Sequence, residues 1–163
     1  TLEKRHLKKN INGDLKIEFI GKKGVNNNCI ISNKKIKKNL TQKKKLLKKN
    51  DKIFKYRKNN KFYDINSNDV NNYLKQLGNF STKNFRTWGA NIEFIKEIIK
   101  CNNLKECITN VSKKLHHTPE ICKKNYINKE LIDFYNKDSK KFIKYFKNKN
   151  ISNKFILFLK NNI

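Results

Sequence analysis

His116 and His117 run directly into Thr118-Pro119, and Tyr126 follows nine residues after the second histidine. Thr118 is of the type that caps a helix, and Pro119 suits the first helical position, where no backbone donor is needed. The start of such a helix presents unpaired N–H groups that favour an anion, here with an imidazole beside it. Tyr126 then falls about two turns along, on an element rigid enough to aim a phenol. Histidine, anion site and phenol together point to phosphoryl chemistry. The same residues would also serve a capped helix with a packed tyrosine and a surface histidine. Cys107, His116, His117 and Cys122 are of zinc-ligand type, but their spacing fits no standard finger, and no metal or cofactor is expected.

The elements that position these groups follow from periodicity. Leu15, Ile17 and Phe19 alternate with Lys16 and Glu18, which predicts a half-buried strand. Gly21-Lys22-Lys23-Gly24 turns the chain, and Cys29 to Ile31 reads as the return strand. This hairpin presents Lys22 and Lys23 at its tip, either solvated or reaching into a nucleic-acid groove. Residues 34–49 read as a basic amphipathic helix with Ile36, Leu40 and Leu47 roughly on one face. A polar loop is expected over 51–64, its basic residues interleaved with Phe54, Tyr56, Phe62 and Tyr63 for stacking on bases or for packing. Asn66 or Ser67 caps a helix with Val70, Tyr73, Leu74 and Leu77 on one side, and Gly78 stops it.

Ser81 or Thr82 opens the next helix, whose expected buried stripe is Phe85, Trp88, Ile92, Ile95 and Ile99. Arg86 sits beside that stripe in the first turn, as a snorkelling side chain or as a guanidinium held to grip a phosphate. Leu104, Ile108, Val111 and Leu115 repeat at helical spacing and deliver the chain to the His-His-Thr-Pro turn. Three short amphipathic helices follow around Leu131–Tyr135, Phe142–Phe146 and Phe155–Leu159. The organisation expected is a hairpin region over 1–33, a helical body over 34–135 and a helical cap over 136–163. The fold class is mainly α with a small N-terminal β-hairpin or sheet, an α+β arrangement.

Composition narrows the partner. In 163 residues there are 40 Lys+Arg against 13 Asp+Glu, a formal charge of +27, which calls for an anionic partner. Apolar runs are only a few residues long and no signal peptide is evident, so nucleic acid is preferred over a membrane. Arginine occurs only at Arg5, Arg57 and Arg86; against a lysine surplus typical of an AT-rich genome it is the more informative cation. Four cysteines without a CxxC pair suit reduced thiols in an intracellular compartment. The chain starts at Thr1 and has no methionine, which suggests a fragment or processed product.

The Gly-Lys-Lys-Gly hairpin, Phe85-Arg-Thr-Trp-Gly-Ala-Asn91, His117-Thr-Pro119 and Tyr126, in this order, resemble the catalytic domain of type IB DNA topoisomerases, especially the small enzymes of poxviruses, giant DNA viruses and bacteria. Asp69-Val-Asn-Asn-Tyr-Leu74, Phe80-Ser-Thr-Lys-Asn-Phe-Arg86 and Ile121-Cys-Lys-Lys-Asn-Tyr-Ile127 extend the resemblance to about Tyr135. It implies a topoisomerase IB and tyrosine-recombinase-like fold, incomplete at its N-terminus, acting on double-stranded DNA without a cofactor. Tyr126 would be the nucleophile that forms a 3′-phosphotyrosyl link. Arg86 and His117 would hold the non-bridging oxygens, and Lys22, or Lys23 beside it, would be the general acid. Lys23, Lys83 and Lys124 are the expected DNA contacts.

Departures from the family pattern are specific. The family's other catalytic arginine precedes a Thr-Leu-x-x-x-His stretch that Thr1-Leu-Glu-Lys-Arg-His6 resembles, so it is expected before residue 1; Arg5 is misplaced to replace it. Activity alone is therefore expected to be impaired. A monomer that clamps DNA with an N-terminal part not in this chain is expected. His116 stands where the family usually has glycine. The alternatives are a tyrosine recombinase or integrase, disfavoured because no His-x-x-Arg pair leads into Arg86, and a non-catalytic DNA-binding remnant.

Overall fold

The computed structural model describes residues 2–21, 24–147 and 150–161, and the chain divides into two compact units, 1–79 and 80–163. The mainly helical α+β class is borne out: eight α-helices and two small antiparallel sheets are found among the described residues.

In the first unit, β1 (Leu7–Lys9), β2 (Leu15–Ile20) and β3 (Asn26–Ile30) form an antiparallel sheet in that order. The return strand begins earlier than the apolar residues suggested. Ile20 pairs with Asn26 and Ile17 with Cys29, so the asparagine run belongs to the ladder. The tip of this hairpin, with Lys22 and Lys23, lies outside the described residues. Helix α1 (Lys34–Leu46) starts at Asn33, whose side chain accepts from the Ile36 N–H, and buries Leu40 against Leu7, Leu15 and Ile53. Ile36 stays exposed.

The loop expected over 51–64 is instead mostly a second hairpin, β4 (Lys55–Lys58) and β5 (Lys61–Asp64). Its turn residues Asn59 and Asn60 both have positive φ, 48° and 58°, the backbone that a two-residue turn needs to match strand twist. Asparagine tolerates that conformation, which is why the Asn-Asn pair carries the turn. Tyr56 and Tyr63 stack across the strands with centroids 5.5 Å apart. Helix α2 (Ser67–Gln76) is capped by Asn66, which accepts from the N–H groups of Asn68 and Asp69.

The second unit is built round α3 (Thr82–Cys101), with α4 (Leu104–Leu115), α5 (Pro119–Asn125), α6 (Lys129–Lys137), α7 (Ser139–Phe146) and α8 (Ile151–Asn161). Its core joins Phe94, Ile95 and Ile98 of α3 to Val111, Leu131, Phe142, Phe146, Phe155 and Phe158. The expected α3 stripe is corrected in part. Ile95 is buried, but Phe85 is exposed, and the fully enclosed positions are Ala90, Asn91, Phe94, Ile95 and Ile98. The reason is that α3 packs against α4, α7 and α8 at once, so a single helical stripe is too narrow to describe its buried arc. Lys114 of α4 bridges Glu93 and Glu97 of α3 at 2.8 Å and 2.9 Å, and tying these two helices together fixes the spacing of the groups they carry.

Candidate active site

Three local structures bring the chemical groups together. Arg86 is the fifth residue of α3; at the start of that helix the Ser81 N–H donates to Asn84 Oδ1 at 2.9 Å. The end of α4 delivers the histidines. His116 has φ 56° and ψ 49°, the left-handed conformation that closes a helix, and the following His117 N–H donates to Ser112 O at 2.9 Å. The glycine that the resemblance led us to expect at this position would have the same physical reason, since a residue without Cβ adopts that backbone freely. Thr118 then caps α5 by accepting from the Ile121 N–H at 3.3 Å, with Pro119 in the first turn as expected. At seven residues α5 is just under two turns, and Tyr126 is its C-terminal cap.

Arg86, His117 and Tyr126 meet in one cluster. Arg86 Nη2 donates to the Leu115 carbonyl and lies 2.8 Å from His117 Nε2. The guanidinium carbon is 5.5 Å from the Tyr126 ring centroid. The His117 and Tyr126 rings stack at 4.9 Å with an interplanar angle of 8°. Burial, then the Arg86 charge and then His116, hold the His117 imidazole below its ordinary pKa of 6.5. Beside the cluster is a cavity of about 820 Å³ lined by Phe80, Lys83, Phe85, Trp88, Lys124 and Tyr126, among others. The two lysines are exposed at this cavity, so cations and aromatic faces stand around the phenol.

Cys107 and Cys122 are buried. Burial pushes the Cys107 thiol up to about 12 and raises Cys122 as well. Among the described residues no group of three or more His, Cys, Asp or Glu is arranged to hold a metal ion, and no helix is long and apolar enough to cross a membrane. Arg5 pairs with Glu3 at 2.6 Å and Arg57 with Asn60 at 2.9 Å. The two lysines that the sequence offered as acid, Lys22 and Lys23, lie outside the described residues.

One residue at the site was quoted within a motif and given no role. Asn91 is 2 % exposed, and its amide contacts the backbone on both sides of Ile127. A lone amide on the core-facing part of an otherwise apolar helix was the available signal, because a buried polar side chain has to find partners.

A family model described as eukaryotic DNA topoisomerase I, catalytic core, matches residues 1–153. The chain belongs to this family, the type IB topoisomerases. It is similar to the DNA topoisomerase 1B of Acanthamoeba polyphaga mimivirus, at 27% identity over 165 residues, covering 89% of this chain and 48% of that protein. The chain thus spans about half the length of the curated relative it matches.

Proposed function

We propose that this chain carries the strand-cleaving centre of a type IB topoisomerase, which relaxes supercoiled double-stranded DNA without ATP. The observation that carries this reading is the convergence of Arg86, His117 and Tyr126 within one cluster. The Tyr126 phenol gives its proton to solvent as its oxygen attacks a backbone phosphorus, the P–O bond to the 5′-oxygen breaks, and a 3′-phosphotyrosyl ester keeps the bond energy for religation. Arg86 and His117 hold the non-bridging oxygens, on which charge builds in the transition state. The leaving 5′-oxygen takes a proton from Lys22 or, failing that, Lys23. Rotation of the cut strand removes supercoils, and the 5′-hydroxyl then reverses the attack. Lys83 and Lys124 border the cavity beside Tyr126 and suit the DNA backbone as partners.

Arg86 is the arginine that stands beside Tyr126 among the described residues. A second arginine donor, expected upstream of Thr1, would complete the set, and removing one such donor costs about 10² to 10³ in rate. Residues 1–163 alone are therefore expected to relax a supercoiled plasmid slowly, and a product extended upstream in frame to relax it faster. Tyr126→Phe is expected to abolish both relaxation and the covalent adduct seen on a denaturing gel. Relaxation that survives Tyr126→Phe, or equal rates for the two lengths, would sink the assignment. A non-catalytic DNA-binding protein would give no adduct with either length.

A further inference from the structure

We infer that Asn91 is a positioning residue that registers the attacking tyrosine against the phosphate-gripping arginine, an inference that rests on Tyr126 being the nucleophile. Asn91 lies in the interior of α3, next to Ala90 and one turn from Phe94 and Ile95, all fully buried. An amide in such surroundings is stable only when its hydrogen bonds are made. Nδ2 donates to Thr87 O at 2.8 Å and to Tyr126 O at 3.0 Å, while Oδ1 accepts from the Asn128 N–H at 2.7 Å.

The first of these bonds stays within α3 and fixes the side chain against its own helix. The other two grip the segment that carries the nucleophile, one on each side of Ile127. That segment needs outside support. Tyr126 has φ −129° and ψ −29°, and a carbonyl at a helix end has no intrahelical partner. Arg86 projects from the same helix as Asn91, five residues earlier. Helix α3 therefore acts as a rigid ruler, with the phosphate grip at one mark and the anchor of the attacking residue at the other. Displacing an attacking group by about 1 Å can cost about 10²-fold in rate.

The test is single-turnover formation of the covalent adduct by the full gene product at saturating DNA, on a duplex whose leaving strand dissociates after cleavage. DNA affinity is measured separately for each variant in the Tyr126→Phe background. Asn91→Asp keeps the size and the acceptor for Asn128 but turns an oxygen toward the carbonyls of Thr87 and Tyr126; Asn91→Ser shortens the reach. The expected result, at temperatures where each variant is folded, is an adduct rate lower by about 10- to 100-fold with DNA affinity unchanged. A folded variant that cleaves at the wild-type rate overturns the proposal. So does a loss of affinity that matches the loss of rate, and so does failure of both variants to fold, since each marks Asn91 as a stability residue. An adduct that persists in Tyr126→Phe alone is a different failure, that of the nucleophile assignment.

Discussion

Arg86 can only donate hydrogen bonds, so its 2.8 Å approach to His117 Nε2 makes that nitrogen the acceptor and leaves the imidazole proton on Nδ1. For His117 to donate to a phosphate oxygen, as proposed, Arg86 has to swing off it and Nε2 has to gain a proton. An incoming anion favours both changes. In the free protein the balance runs the other way, because burial and the guanidinium hold the His117 pKa below its ordinary value. The unfolded chain therefore binds a proton that the folded site resists, and stability rises with pH across this window. The contribution is fully present above the ordinary value of 6.5 and is lost as pH falls toward the folded pKa. His6 is depressed too, first by burial and then by Arg5. Melting temperature is thus expected to fall as pH drops below the ordinary histidine value of 6.5, and by less in His117→Gln; a variant with an unchanged pH slope would refute the His117 contribution. At this scale the short motifs that hold Arg86, His117 and Tyr126 were legible because each is a local run of residue types, while the joint role proposed for them came from the resemblance to a family. The role of Asn91 was not legible, since it is set by a backbone segment 35 residues away.

Helix ends decide where these side chains point. His116 takes a left-handed backbone that costs a residue with a Cβ about 1 to 2 kcal/mol, and it does so where α4 must stop and reverse into Thr118. His116→Gly is expected to stabilise the protein by about 0.5 to 1 kcal/mol, read as a higher urea midpoint with an unchanged slope. A lower midpoint would show that the His116 imidazole holds the turn by its own contacts. The turn and the Thr118 cap were readable from residue types, since Thr-Pro is a local signal. The buried arc of α3 was legible only in part, because Phe85 has the spacing of a core face yet stays exposed and Ile92 is half-buried at the edge of the core, while the helices packed around α3 enclose Ala90, Asn91 and Phe94. Likewise the β4–β5 hairpin hid behind its lysines and asparagines. Its signal was the Asn59-Asn60 pair and not apolar alternation.

Across the whole molecule the two units are unequally provided. Among the described residues the first unit buries only Leu7, Leu15, Leu40 and Ile53, whereas the second joins side chains from all six of its helices in one apolar cluster. Small domains with little buried apolar surface are marginal. Residues 80–163 alone are expected to keep helical circular dichroism and a cooperative urea transition, and residues 1–79 alone to show none; the reverse result would refute this division of stability. The mainly helical class was legible from periodicity, while the place where the chain divides was not, since Gly78 and Asn79 read only as the end of one helix. The charge of +27 makes any affinity for DNA steeply salt-dependent.

That charge also bears on the Arg86 contact with the Leu115 carbonyl and His117. Nη2 makes both of these contacts, so the other guanidinium N–H groups are still donors, and it is His117 Nε2 that the Arg86 contact keeps from a phosphate. A mononucleotide brings little charge and touches nothing beyond the immediate site, whereas a duplex engages many lysines at once and can drive the exchange. On the proposed reading, the contact between Arg86 and His117 gives way more readily to a duplex than to the soluble phosphate esters around it, before a single base has been read.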